Sequence, residues 1–184
     1  VTILIMPGHT AKAKGCVSVF NQEPEHDIAV KVLKELQSLE TALPLEFANM
    51  DGSMTITQKI EYERAGRYEG FVELHFNSTA NPEAEGSEAL CWQGSQRGTL
   101  LGTLILLEIQ NIQGGSLKQR GLKLRKKGDR GWRQLGLTRS PATILEPLFL
   151  SNITEATIAS LPGYQGGLAR AILKGLEEYA KAIR

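Results

Sequence analysis

The chain predicts an α/β fold in a single domain, and three observations lead there. Strand-like and helix-like stretches alternate from one end to the other, the pattern of a sheet with helices packed against it rather than of an all-α or all-β protein. Two of the strand-like runs, "TILIM" at 2–6 and "ATILEPLFL" at 142–150, are close to continuously apolar, as strands buried on both faces are. Finally, 184 residues with 41% hydrophobic side chains suffice for one sizeable core, whereas two domains would be cramped.

The first strand stops at Pro7-Gly8, and residues 10–22 read as loop, mostly small or polar. A helix begins at Pro24. Ile28, Val32, Leu33, Leu36 and Leu39 recur at helical spacing, and acids crowd its first turn, where the helix dipole favours them. "LEFANM" at 45–50 predicts a second strand and residues 55–67 a polar helix. "GFVELHFNS" at 70–78 predicts a third strand. Alternation puts Phe71, Glu73, His75 and Asn77 on one face and Val72, Leu74 and Phe76 on the other, so the strand reads as half buried and ending in a polar row. "SEALCW" at 87–92 is a fourth strand, and residues 96–112 form an apolar helix broken by Gly114-Gly115. After the apolar run at 142–150 come a short helix at 154–161, Pro162-Gly163, and a closing amphipathic helix at 166–183. Strands separated by helices imply parallel pairs with helices on both faces, and ligands bind beyond the carboxyl ends of such strands.

The net charge of +1 names no partner, but the charge is uneven: nine basic residues and one acid, Asp129, lie between Lys118 and Arg139. That segment reads as a solvated loop with room for short strands, and a face for an anionic polymer, nucleic acid or cell wall, is the alternative. Cys16 and Cys91 are far apart, form no CxxC pair and read as free thiols. No run is long and apolar enough to span a membrane, and "VTILIMPGH" lacks the basic start of a signal peptide.

Four residues could carry chemistry. His9 follows the first strand, Glu25 opens the first helix on the edge of its apolar stripe, His75 lies near the end of the third strand, and Glu146 interrupts an apolar run just before Pro147. If the strands at 2–6, 71–77 and 142–146 run parallel, the four converge at one rim. Two imidazoles and a carboxylate are a donor set for catalytic zinc with one open position, and a further carboxylate would serve as general base. Each residue also has a plain structural reading: a hydrogen-bonded strand histidine, or a glutamate favoured by the helix dipole. Glu146 is the hardest to read that way, because an unpaired buried carboxylate is costly. His26 and Glu23 compete with Glu25 as ligands. His26 points about 100° away around the helix, and Glu23 falls outside the stripe. There is no HExxH, GxSxG, GxGxxG or Walker motif.

Together, "ILIMPGH" at 3–9, "EHDIAVKVLKEL" at 25–36, "ELHFNS" at 73–78, "GSEAL" at 86–90, "RGLKL" at 120–124 and "PATILEPLFLSN" at 141–152 make the chain resemble the zinc-dependent N-acetylmuramoyl-L-alanine amidases of autolysins and phage endolysins. The blocks keep the family's order and span nearly the whole chain. "GSEAL" and "ELHFNS" look most like the endolysin branch. The loop "TAKAKGC" and Pro147 depart from the family pattern.

The resemblance implies a mixed, mostly parallel sheet of about six strands flanked by helices, with residues 1–184 forming one zinc amidase catalytic domain. It implies His9, Glu25 and His75 as ligands of Zn2+ and Glu146 as the catalytic carboxylate. The implied reaction is zinc-assisted hydrolysis of the amide between N-acetylmuramic acid and L-alanine. Peptidoglycan is then the expected partner, with no nucleic acid, no membrane insertion and a monomeric state. Action on the bacterial cell wall is expected, reached by a phage-type release from the cytoplasm if no signal peptide exists. The alternatives are a zinc carboxypeptidase-like peptidase and a non-catalytic wall-binding module.

Overall fold

The computed structural model describes residues 1–112 and 117–184, so the expected break at Gly114-Gly115 lies outside the described residues. Twelve elements follow one another: β1 (Ile3–Pro7), α1 (Glu25–Gln37), β2 (Leu45–Phe47), α2 (Ile56–Ala65), β3 (Gly70–Leu74), β4 (Ser87–Trp92), α3 (Gln96–Ile112), β5 (Gln119–Arg125), α4 (Trp132–Gly136), β6 (Ala142–Glu146), α5 (Ile153–Ser160) and α6 (Pro162–Ala182). The strands form one six-stranded sheet in the order β2-β1-β3-β6-β4-β5. β1 pairs in parallel with β2 and β3, β3 with β6, and β4 with β5. Among the strand pairs of the described residues, only β4–β6 is antiparallel. The expected mixed, mostly parallel sheet is therefore present, and β1, β3 and β6 bring their carboxyl ends to the same edge.

Alternation sorts the strand side chains into two core layers. Ile3, Ile5, Val72, Leu74, Ala89 and Leu145 pack with the apolar stripes of α1, α3 and α6. Leu4, Met6, Phe71, Leu90, Ala142 and Ile144 pack on the opposite face with Leu135 of α4. In α1 the buried stripe is Ile28, Ala29, Val32, Leu33 and Leu36, as its periodicity requires. At roughly 1.5–3 kcal/mol for each large apolar side chain buried, this stripe alone holds α1, and hence Glu25 at its first turn, firmly against the sheet. α2 starts with a capping box in which Thr55 and Gln58 satisfy each other's backbone N–H groups.

Several expectations change. β3 is buried along its entire length rather than half buried, because β1 and β6 flank it and helices cover both faces. Its polar row is therefore interior, which raises the cost of every unpartnered polar atom there. The basic segment is more than a solvated loop: a strand expected within it is β5, at the sheet edge, and α4 follows. Long basic side chains suit an edge strand, where they discourage further pairing. The apolar run at 142–150 is a strand only to Glu146, where Pro147 follows. α6 begins at Pro162 instead of 166, since proline is pre-organised for the first helical position. No helix among the described residues is long and apolar enough to cross a membrane.

Candidate metal centre

The carboxyl ends of β1 and β3 deliver His9 and His75 to one place, and the first turn of α1 sets Glu25 between them. Glu25 Oε2 lies 3.0 Å from His9 Nε2, and Glu25 Oε1 lies 2.9 Å from His75 Nδ1. The two imidazole rings meet edge to face with centroids 4.8 Å apart. One donor atom from each of the three residues falls within 4.8 Å of the others.

Backbone conformation makes this proximity achievable. His9 has φ of 61°, a left-handed conformation that is uncommon for a residue with a side chain and concentrates at functional sites. Gly8 passes so close to the His75 ring that a Cβ there would collide with it, and a Cβ at Gly15 would strike the Glu25 carboxylate and the His9 ring. Gly15, at φ of 84°, is thus fixed both by conformation and by space.

The Glu25 carboxylate is anchored from behind. Oε1 accepts from the Phe76 backbone N–H at 3.0 Å, and Oε2 accepts from the Cys16 backbone N–H and thiol, both at 3.3 Å. Burial alone would push the Glu25 pKa up, but the bonds and charges of His75 and His9 outweigh it and hold the group well below the usual carboxylate range. Burial disfavours a charged His75, yet Glu25 and Glu73 on either side push its pKa up to about 10. The two carboxylates flanking His75 make this a place that favours positive charge. Two imidazole nitrogens and a carboxylate facing one centre fit a divalent cation of the zinc class, with a coordination position left over.

Glu146 ends β6 and lines the same cavity of about 390 Å3 as His9, Glu25 and His75. It is almost wholly buried, and Arg130 Nη2 donates to its Oε2 at 2.6 Å. Its register partner across the antiparallel pair is Glu88, another buried carboxylate, which accepts from Asn77 Nδ2 at 2.8 Å and Arg120 Nε at 2.6 Å. Burial chiefly pushes the Glu146 pKa up to about 7; Arg130 and His75 pull the other way, and Glu88 adds to the rise. A carboxyl poised near neutrality can both accept and donate a proton there.

The two competing residues are placed elsewhere. His26 is buried with its Nδ1 2.7 Å from the Gly8 carbonyl oxygen, and Glu23 pairs with Lys31. Cys16 touches Glu25, and burial and the neighbouring carboxylate push its thiol up to about 12, which disfavours the thiolate. Cys91 is buried and both cysteines are free.

Lys59 and Arg130 join the site without standing out in the sequence. Lys59 is almost completely buried on α2, where it shares the inner face with Ile60 and Glu63. A lysine in register with a helix's apolar positions was the available signal. Arg130 stood unmarked among nine basic residues, and only the loop between β5 and α4 brings it to Glu146.

Comparison with known proteins supplies the context for this geometry. The sequence profile of the N-acetylmuramoyl-L-alanine amidase family matches residues 3–178. The "Probable cell wall amidase LytH" of Staphylococcus aureus is 27% identical over 185 residues; the match takes in 98% of this chain and 59% of that protein, so the chain spans about three-fifths of that relative's length. Among solved structures, the catalytic domain of the amidase CwlV from Bacillus (Paenibacillus) polymyxa var. colistinus superposes with a TM-score of 0.86 at 20% identity, covering 98% of this chain and 99% of that one. The CwlD amidase of Clostridioides difficile, solved in complex with the GerS lipoprotein, gives a TM-score of 0.88 at 21% identity, covering 98% of both chains. At these identities the two structures establish a shared fold.

Proposed function

Since the chain belongs to the N-acetylmuramoyl-L-alanine amidase family, we propose that residues 1–184 form a catalytic domain that hydrolyses the amide between N-acetylmuramic acid and L-alanine in peptidoglycan, with zinc as its metal. The observation that carries this reading is the meeting of His9, Glu25 and His75 at one point, beside a buried Glu146 in the same cavity.

In this reading His9 Nε2, His75 Nδ1 and the Glu25 carboxylate hold the metal. Bound there, zinc supplies Lewis acidity toward the scissile carbonyl and a water molecule. Glu25 keeps its donors aligned through the Phe76 and Cys16 backbone N–H groups, so little has to reorganise on binding. Glu146 takes the proton of the attacking water on a carboxylate oxygen and later delivers it to the departing amine of L-alanine. Its pKa near 7 suits both halves of that transfer. Arg130 keeps the Glu146 side chain turned into the cavity and favours its anionic form. The cavity wall also carries the apolar side chains of Ile56, Phe76, Leu90, Trp132 and Ile144.

Family membership favours the amidase over the carboxypeptidase-like and wall-binding alternatives. Digestion of purified cell walls by the zinc-loaded protein separates all three. New L-Ala amino termini are the expected product. Release of free amino acids would indicate a carboxypeptidase, and wall binding with no soluble product would indicate a binding module. The cell wall is accordingly the proposed place of action.

A further inference from the structure

Behind His75 lies a second, wholly interior set of charges that the proposed chemistry does not use. Glu73 and Lys59 are each about 1% exposed. Lys59 Nζ donates to Glu73 Oε1 at 2.7 Å and to the Pro7 carbonyl oxygen at 2.7 Å. The other oxygen of Glu73, Oε2, faces His75 Nε2 at 3.5 Å. Among the described residues, neither Glu73 Oε2 nor His75 Nε2 has a hydrogen-bond partner, although both atoms are buried. Glu73 is absent from the cavity lining, so it does not reach a substrate there.

A buried ion pair is a costly arrangement unless it does something that an apolar pair could not. Here its geometry singles out one task. An imidazole has two nitrogens, and a neutral ring can offer a lone pair on only one of them. His75 Nδ1 points at Glu25 and the centre between the three donors, while Nε2 points away from it at Glu73. A carboxylate behind Nε2 holds the ring proton on that nitrogen and leaves the Nδ1 lone pair for a metal. Lys59 in turn holds Glu73 in place. Because the same ammonium is bonded to Pro7, two residues before His9, it also ties the end of β1 to the end of β3 and so fixes the spacing of the two imidazoles.

We propose that Glu73 and Lys59 are positioning residues which set the tautomer and orientation of His75, so that Nδ1 is its metal-binding atom. This rests on the reading of His75 as a metal ligand, and it concerns metal affinity rather than the hydrolytic step itself.

The test is zinc affinity, measured by competition with a chromophoric chelator, together with the imidazole nitrogen shifts of His75 in the zinc-loaded protein. Glu73→Leu combined with Lys59→Met removes both charges at similar volume and leaves neither charge unpaired, although the Pro7 carbonyl loses its ammonium donor. Glu73→Gln keeps an acceptor behind Nε2 but no charge, and covers the case in which the double variant fails to fold. Outer partners of this kind typically contribute 10–100-fold to metal affinity. The double variant is expected to bind zinc 10–100-fold more weakly at an unchanged melting temperature, and Glu73→Gln to fall between it and wild type. The wild-type shifts should show the proton on Nε2 and the metal on Nδ1. Wild-type zinc binding with equal affinity in the folded variants, or metal on Nε2, would overturn the positioning role and leave the amidase reading intact. A merely structural role would lower the melting temperature without changing zinc affinity, and that outcome too would overturn it. Failure of the wild-type protein to bind zinc at all would overturn the metal reading, and this inference with it.

Discussion

Glu63 and Glu155 lie as deep in the protein as Glu25 and Glu146, each at 1–4% exposure, yet the two pairs have opposite surroundings. Glu63, on α2, accepts from the Ser140 hydroxyl and from the backbone N–H groups of Arg139 and Ser140. That clasp sits just ahead of β6, at the end of the strand away from Glu146. Glu155, on α5, accepts from the N–H groups of Gly86 and Phe149 at 2.7 Å each. Both carboxylates spend their oxygens on loop backbone that would otherwise be unsatisfied. Glu25 and Glu146 instead border a cavity and face imidazoles or a half-exposed arginine. Depth of burial therefore does not distinguish an architectural carboxylate from a chemical one in this molecule. What distinguishes them is whether the carboxylate, beyond any fixed amide donors, also faces a cavity-lining group that can exchange a proton or a cation.

This contrast predicts opposite phenotypes. Glu25→Ala is expected to have the largest effect, with zinc affinity falling by orders of magnitude and turnover lost. Glu23→Ala and His26→Ala should leave zinc binding near wild type, as chelator competition would show, although His26→Ala gives up a buried bond to Gly8. If either of those two lost the metal while Glu25→Ala kept it, the assignment of the third donor would be wrong. Glu63→Ala should behave in the converse way. Stranding its donors costs on the order of 3 kcal/mol, visible as a lower denaturation midpoint, with zinc affinity and specific activity of the folded fraction unchanged.

A smaller effect concerns pH. Glu146 acts as a base only as the anion, so turnover should rise with pH through about 7. The linked stability runs the other way. A carboxyl whose folded pKa is raised binds its proton more tightly in the folded state, so its contribution is full below the ordinary value of 4.5 and is lost as pH rises to about 7. Arg130→Met removes a cation that favours the anion and should move the acid limb of the rate profile upward by roughly one unit. An unmoved limb would dissociate Arg130 from the titrating group. The smallest effect is expected for neutralising Lys126 and Lys127, exposed residues in the turn after β5. Binding to anionic walls should weaken at low salt and be indistinguishable from wild type at high salt, because exposed charges are screened. Equal binding at both salt concentrations would remove any steering role for the basic segment.

How far the sequence spoke depended on whether a residue's neighbours were local. The apolar run of β1 and the stripe of α1 announced themselves through their own periodicity, and the rule that ligands gather at carboxyl ends of parallel strands placed His9, His75 and Glu146 at one rim. Glu25 was legible because it shares the stripe of Ile28, Val32 and Leu36. β5 was legible only as a short strand somewhere in the basic segment, since its alternating basic residues fix neither its bounds nor its partner until its pairing with β4 is known. Lys59 looked like one polar residue of a polar helix, and its role depends on contacts 14 and 52 residues away in sequence. Glu63 and Glu155 were equally silent, because their partners are backbone amides brought in from 69 to 77 residues away, or from the turn after β6.

The most direct test of the contrast is Glu146→Gln. Glutamine keeps the shape and an acceptor for Arg130 but cannot take a proton from water. Removing a general base typically costs 10²–10⁴-fold in rate. Purified Glu146→Gln is to be assayed for zinc content, melting temperature and release of L-Ala amino termini from cell walls. Full zinc occupancy, a melting temperature no lower than wild type, and turnover reduced by that factor are expected. A lowered melting temperature with near-wild-type turnover at full zinc occupancy would place Glu146 with Glu63 and Glu155 as architecture, and would contradict its role as the base.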